Sequence, residues 1–151
     1  MNMESKDFGK QVRTSVKHTS RRRGSPIFSY PGSKWRLMPK LMRHFPPHDH
    51  YVSVFGGSAT DILVKPPSKF ETYNDLDQNL YSLFKLLQDS IQLEQLVHKI
   101  QLTPSCCQDQ YLEAVDTLKG GAANPVVRAW AFLVVAHQGA PSRSASIQRP
   151  T

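Results

Sequence analysis

Cysteine is nearly absent from the 151 residues: there are two, and they are neighbours, Cys106 and Cys107. Adjacent thiols cannot staple a framework, so a disulfide-held secreted scaffold is excluded and a metal site built on cysteines is not expected. Long apolar runs are missing too. The longest, WAFLVVA at 130–136, falls far short of the ~20 residues needed to span a bilayer. The N-terminus lacks the apolar core of a signal peptide, so the expected location is cytoplasmic and no membrane partner is expected. No internal repeat occurs. What remains is ordinary globular material, 39% hydrophobic with a mean hydropathy of −0.43, and long enough for one domain with its own core.

Charge is unevenly placed. Of the net +7, residues 1–25 carry seven Lys/Arg (Lys6, Lys10, Arg13, Lys17, Arg21, Arg22, Arg23) against Glu4 and Asp7. The rest of the chain is almost balanced. Residues 1–25 show no hydrophobic period and read as a disordered basic arm, suited to phosphate-backbone attraction or to solubility alone. From Gly139 the chain turns polar again, with Ile147 its one large apolar residue, and 139–151 reads as a disordered tail. The folded part is therefore expected at 26–138.

Within that span, apolar spacing predicts a helix over 34–45, with Trp35, Met38, Leu41, Met42 and Phe45 on one face and Pro39 in its first turn or at a kink. YVSVF at 51–55 reads as a strand stopped by Gly56-Gly57, followed by a short helix over 58–64. A second strand is expected at 70–73. Asp77 is placed to cap the next helix, whose Leu80, Leu83, Phe84, Leu87 and Ile91 share a face. A further helix carries Leu93, Leu96, Val97 and Ile100. Two more, over 111–118 and 126–137, are separated by KGGAANP, and the stripe at 130–135 is core. Strands alternating with helices predict parallel βαβ units and an α/β layered fold.

Two compact small-residue turns stand out: FSYPGSK at 28–34 and VFGGSAT at 54–60. In an open parallel sheet, ligands settle where strands end, and Gly56-Gly57 lies at one such end. Asp75 follows nineteen residues after Gly56, at the end of the next strand, where a carboxylate can accept both hydroxyls of a ribose. Lys34 offers a point charge for an anionic group and Tyr30 an aromatic face. A dinucleotide site would carry G-x-G-x-x-G, and the third glycine is missing.

Together, YPGSK, SVFGGSA and YNDLD, with LYSLFKLL after them, resemble the Dam-like (D12) class of adenine-specific DNA methyltransferases. That family has an aromatic-x-G-G-K turn, an E-P-F-x-G-x-G turn and an N-D or A-D acidic turn in the same order. The resemblance implies a Rossmann-like methyltransferase fold that uses S-adenosyl-L-methionine and acts on double-stranded DNA, of restriction-modification or phage type. It implies that Tyr30, Lys34 and Asp75 contact the cofactor while Phe55, Gly56 and Gly57 form the pocket wall.

Two departures shape the expectation. The family's Glu-Pro before the Phe is Ser53-Val54 here, which removes an acidic group. Its catalytic D-P-P-Y, which holds the flipped adenine by its N6 amine and stacks on the ring, is absent: neither FPPH at 45–48 nor VKPPS at 64–68 has Asp or Asn before the prolines. No catalytic residue is therefore assigned, and the chain is expected to be an N-terminal, cofactor-binding portion, truncated and inactive alone. A non-catalytic nucleoside- or DNA-binding module is the alternative, and another α/β nucleotide-binding enzyme a third reading. His44, His48 and His50 straddle a Pro-Pro loop, and no metal is expected there.

Overall fold

The computed structural model describes residues 2–5, 26–105 and 107–138. The expected tail at 139–151, most of the expected arm (6–25) and Cys106 lie outside the described residues. Three strands form one sheet: β1 (Asn2–Ser5), β2 (His50–Ser53) and β3 (Phe70–Asn74), in the order β1-β3-β2. Strands β2 and β3 are parallel, pairing His50 with Phe70 and Ser53 with Tyr73. Their connection holds a short helix, α2 (Thr60–Val64), as a parallel pair requires a crossover. On the other side β1 runs antiparallel to β3, from Asn2 opposite Asn74 to Ser5 opposite Glu71.

Strand β1 corrects the expectation of disorder through the whole of 1–25. NMES has no apolar alternation, and it enters the sheet through backbone pairing, which its side chains do not announce. It makes β3 the central strand, and Glu71, Thr72 and Tyr73 are accordingly buried. The outer edge of β2 is unpaired among the described residues.

Helices α3 (Gln78–Leu86), α4 (Ser90–Gln101), α5 (Gln108–Lys119) and α6 (Pro125–Gln138) follow. Each of three starts has a side-chain cap. Asp77 accepts from Asn79 N at 2.9 Å, Asp89 from Ile91 N and Gln92 N, and Asn124 from Val126 N and Val127 N, with Pro125 in the first turn of α6. Helix α6 is apolar nearly all round and is the hub of the core, packed by α3, α4 and α5. Its Trp130 donates to Thr103 Oγ1 at 2.8 Å and lies under the Lys99 ammonium at 4.3 Å.

Two expectations need adjusting. The helix expected over 34–45 is a series of turns, then α1 (Met38–Leu41), then a 3-10 turn (Met42–His44). Pro39 sits in the first turn of α1, where its missing N–H costs nothing, and Met38 is the only buried residue of the two helical pieces. Ile91 belongs to α4, not to the helix before it, because Asp89 caps a new helix; it is exposed. On α4 itself Leu96 is buried and Leu93 packs on the core, whereas Val97 and Ile100 are exposed.

Candidate functional site

The glycine turn after β2 is held by the end of β3, one residue at a time. Tyr73 OH donates to Gly57 O at 2.8 Å, and Asn74 Nδ2 donates to Val54 O at 2.7 Å. Gly56 N donates to Asn74 O at 2.9 Å, and Gly57 N to Asp75 Oδ2 at 2.8 Å. The other oxygen, Asp75 Oδ1, accepts from Asp77 N at 2.9 Å. YNDLD is thus a clamp on the glycine turn as well as a source of carboxylate.

The two glycines do different work. A Cβ on Gly56 would lie 2.1 Å from the Tyr73 ring, so glycine is needed there to admit a fully buried phenol. Gly57 has φ +50°, and a Cβ there would meet the Tyr30 ring at 3.3 Å. Ala59 also has a positive φ, 52°, and is buried. A non-glycine residue in that region is strained, by about 1–2 kcal/mol.

The YPGSK turn is anchored from both sides. Phe28, 1% exposed, packs edge-on to Phe132 at 5.4 Å and to Tyr30 at 6.0 Å. Gly32, at φ +77°, turns the chain, and Ser33 N donates to Tyr30 O at 3.1 Å. A hydroxyl cluster then ties this turn to the second one. Ser33 Oγ lies 3.1 Å from Thr60 Oγ1, Ser58 Oγ donates to Ser33 Oγ at 3.3 Å, and Ser58 and Thr60 hydroxyls are 2.7 Å apart. The two small-residue turns are neighbours, and their hydroxyls bond to each other.

Between them lies a cavity of about 530 Å³ at the carboxyl ends of the parallel strands, within the ~300–1,000 Å³ of ligand pockets. Tyr30, Lys34, Phe55, Gly56, Gly57 and Asp75 all line it. Phe55 stands at the surface, 89% exposed, and Lys34 is exposed. Tyr30 is half-buried, and its phenol is pushed up to about 12, by burial first and then by the carboxylates of Asp77 and Asp75. At neutral pH it is an uncharged donor and an aromatic surface.

Below the cavity is a polar network that the sequence motifs did not point to. Ser53 OH and Tyr51 OH both donate to Asp61 Oδ2, at 2.6 and 3.1 Å, and Asp61 lines the same cavity. Burial and then the neighbouring Asp61 raise the Tyr51 phenol well above its usual range, so it stays a donor. Lys65, four residues on, is buried against Glu71 at 2.6 Å, also donates to Ser68 Oγ, and lies 4.7 Å over the Tyr51 ring. An isolated Asp in TDILV and a Lys before two prolines gave no pattern by which to find this network. His50, from the histidine group, lies 2.8 Å from Thr72 Oγ1, and His48 Nδ1 lies 2.7 Å from Pro46 O. Among the described residues no three His, Cys, Asp or Glu side chains are grouped for a metal.

A parallel strand–helix–strand unit with its cavity at the strands' carboxyl ends defines an α/β protein with a cavity where ligands of such folds settle. The particular kind follows from comparison with known families. The family model for the D12 class N6 adenine-specific DNA methyltransferases matches residues 30–135, more than two thirds of the sequence. The chain belongs to that family, and is a methyltransferase of the kind that modifies adenine in DNA. The match starts at Tyr30 of the first turn and includes both others. No curated protein and no solved structure gave a significant match. No helix among the described residues is long and apolar enough to cross a membrane.

Proposed function

We propose that the cavity binds S-adenosyl-L-methionine, and that residues 26–138 form the cofactor-binding half of a Rossmann-like DNA adenine N6-methyltransferase acting on double-stranded DNA in the cytoplasm. The observation that carries this reading is the convergence of Tyr30, Lys34, Phe55, Gly56, Gly57 and Asp75 on one cavity. The residues suit the group. Lys34 provides a cation for the amino-acid carboxylate, and the bare Gly57 backbone admits close approach. Asp75, oriented by two backbone N–H groups, keeps lone pairs for ribose hydroxyls. Tyr30 and Phe55 give aromatic walls. When bound, the cofactor supplies an electrophilic methyl group on a sulfonium; the chain's task is to hold it in line for an amine.

The same chain has no residue in the position of the adenine clamp, since D-P-P-Y does not occur in its 151 residues. That absence favours a second reading alongside the first: binding of cofactor and DNA without methyl transfer by this chain alone. The basic residues of the arm at 1–25 are assigned to non-specific attraction to phosphates. An assignment to a phage or restriction-modification context rests on resemblance alone.

The test is an incubation with DNA and methyl-labelled S-adenosylmethionine. The expected result is label held by the protein and none in adenine; label appearing as N6-methyladenine would refute the inactive-half reading. In the same samples, replacing Arg21, Arg22 and Arg23 by alanine should lower DNA retention at low salt. Unchanged retention would leave the arm without a DNA role.

A further inference from the structure

Asp61 belongs to none of the three motifs, yet, like Asp75, it is a carboxylate held at the cavity by two hydrogen bonds. Ser53 stands where the family's turn has Glu, so position 53 brings no charge. Its hydroxyl, on a residue 4% exposed, is spent on Asp61 Oδ2 at 2.6 Å, and the Tyr51 hydroxyl reaches the same oxygen at 3.1 Å. Two donors on one oxygen fix the carboxylate's rotation. The other oxygen, Oδ1, has no hydrogen bond among the described residues. Asp61 and Lys34 line the same cavity, so beside the Asp75 carboxylate it offers a second anchored carboxylate and one exposed cation. A free amino acid end, ammonium beside carboxylate, is the ligand chemistry that matches such a pair.

Building on the cofactor reading above, we propose that Asp61 receives the α-ammonium group of the methionine end of S-adenosylmethionine, with Lys34 opposite its carboxylate. Where the family's turn has an acidic group this chain has Ser53, and the carboxylate comes from position 61, oriented by the Ser53 hydroxyl. Asp61 is a binding residue; Ser53 and Tyr51 are positioning residues.

Calorimetry with two probes separates this from a structural role: S-adenosylmethionine, and 5′-methylthioadenosine, which keeps the nucleoside and lacks the amino-acid end. In Asp61→Asn, which retains an oxygen to accept from Ser53 and Tyr51, S-adenosylmethionine affinity should fall roughly tenfold to a hundredfold, the worth of one charge-assisted hydrogen bond. Methylthioadenosine affinity should change by less than about twofold. Ser53→Ala should show the same selectivity with a smaller loss, and it carries the test should Asp61→Asn fail to fold. Equal losses for both probes, or no loss for either, would overturn the proposal. Failure of the unmodified chain to bind either probe would instead overturn the cofactor reading, and this inference with it.

Discussion

At the scale of single residues, Gly56 and Gly57 show how one motif can hold two unrelated requirements. Both read in the sequence as openness toward a ligand. In the structure only Gly57 is in the left-handed region, while Gly56 is glycine because the Tyr73 ring fills the space a side chain would need. That ring is fully buried and its hydroxyl is bonded to Gly57 O, so it has little room to yield. Gly56→Ala is therefore expected to destabilise the fold by about 1–3 kcal/mol, as overpacking does, measured by urea denaturation. A midpoint equal to the parent's would show that the Tyr73 contact is not what fixes glycine there. Asp75 carries a similar double load. Its place after the second strand puts its carboxylate at the cavity, but its bonds to Gly57 N and Asp77 N were not legible, since they depend on which way each backbone amide points. The Ala59 backbone was equally hidden: nothing in GSAT announces a positive φ on alanine.

At the scale of elements, the readable parts were those whose signals are local. Asp77 announced the start of α3, Asn124-Pro125 sits at the start of α6, and the alternation of strand and helix announced the parallel pair. The unreadable parts are settled by tertiary contacts. Strand β1 is recruited by the free edge of β3, and the helical run from Met38 stops at His44 because Phe45, ahead of Pro46, is held extended. The outward-facing Ile91 and Val97 kept a helical period without a partner to bury it. Nor did the sequence reveal that the crossover from β2 to β3 is pinned by an ion pair. Lys65 and Glu71, with side chains 1% and 4% exposed, tie the end of α2 to the central strand. Lys65→Ala removes the buried ammonium from Glu71, which still accepts from Ser68 N at 3.2 Å, so it should cost about 1.5–3 kcal/mol, the worth of a hydrogen bond between charged groups. A stability loss under 1 kcal/mol in denaturant titration would mean that water or a neighbouring group takes over the Glu71 charge.

At the scale of the whole molecule, the site is an assembly of three separate turns. Phe28 fixes the first to the α6 side of the core, the Ser33–Ser58–Thr60 hydroxyls join it to the second, and Tyr73, Asn74 and Asp75 clamp the second to the third. The six residues expected to meet the cofactor converge because these joints exist, and the family match spans all three turns. Calorimetric titration of S-adenosylmethionine into the unmodified chain and into Lys34→Ala tests that convergence most directly. Lys34 is exposed and lines the cavity, so its truncation leaves the core intact and removes one charge-assisted contact worth about 1.5–3 kcal/mol. The unmodified chain should bind one equivalent, and Lys34→Ala should bind at least roughly tenfold more weakly with an unchanged melting temperature. No binding by the unmodified chain, or equal affinity in the two, would contradict a cofactor site at these turns.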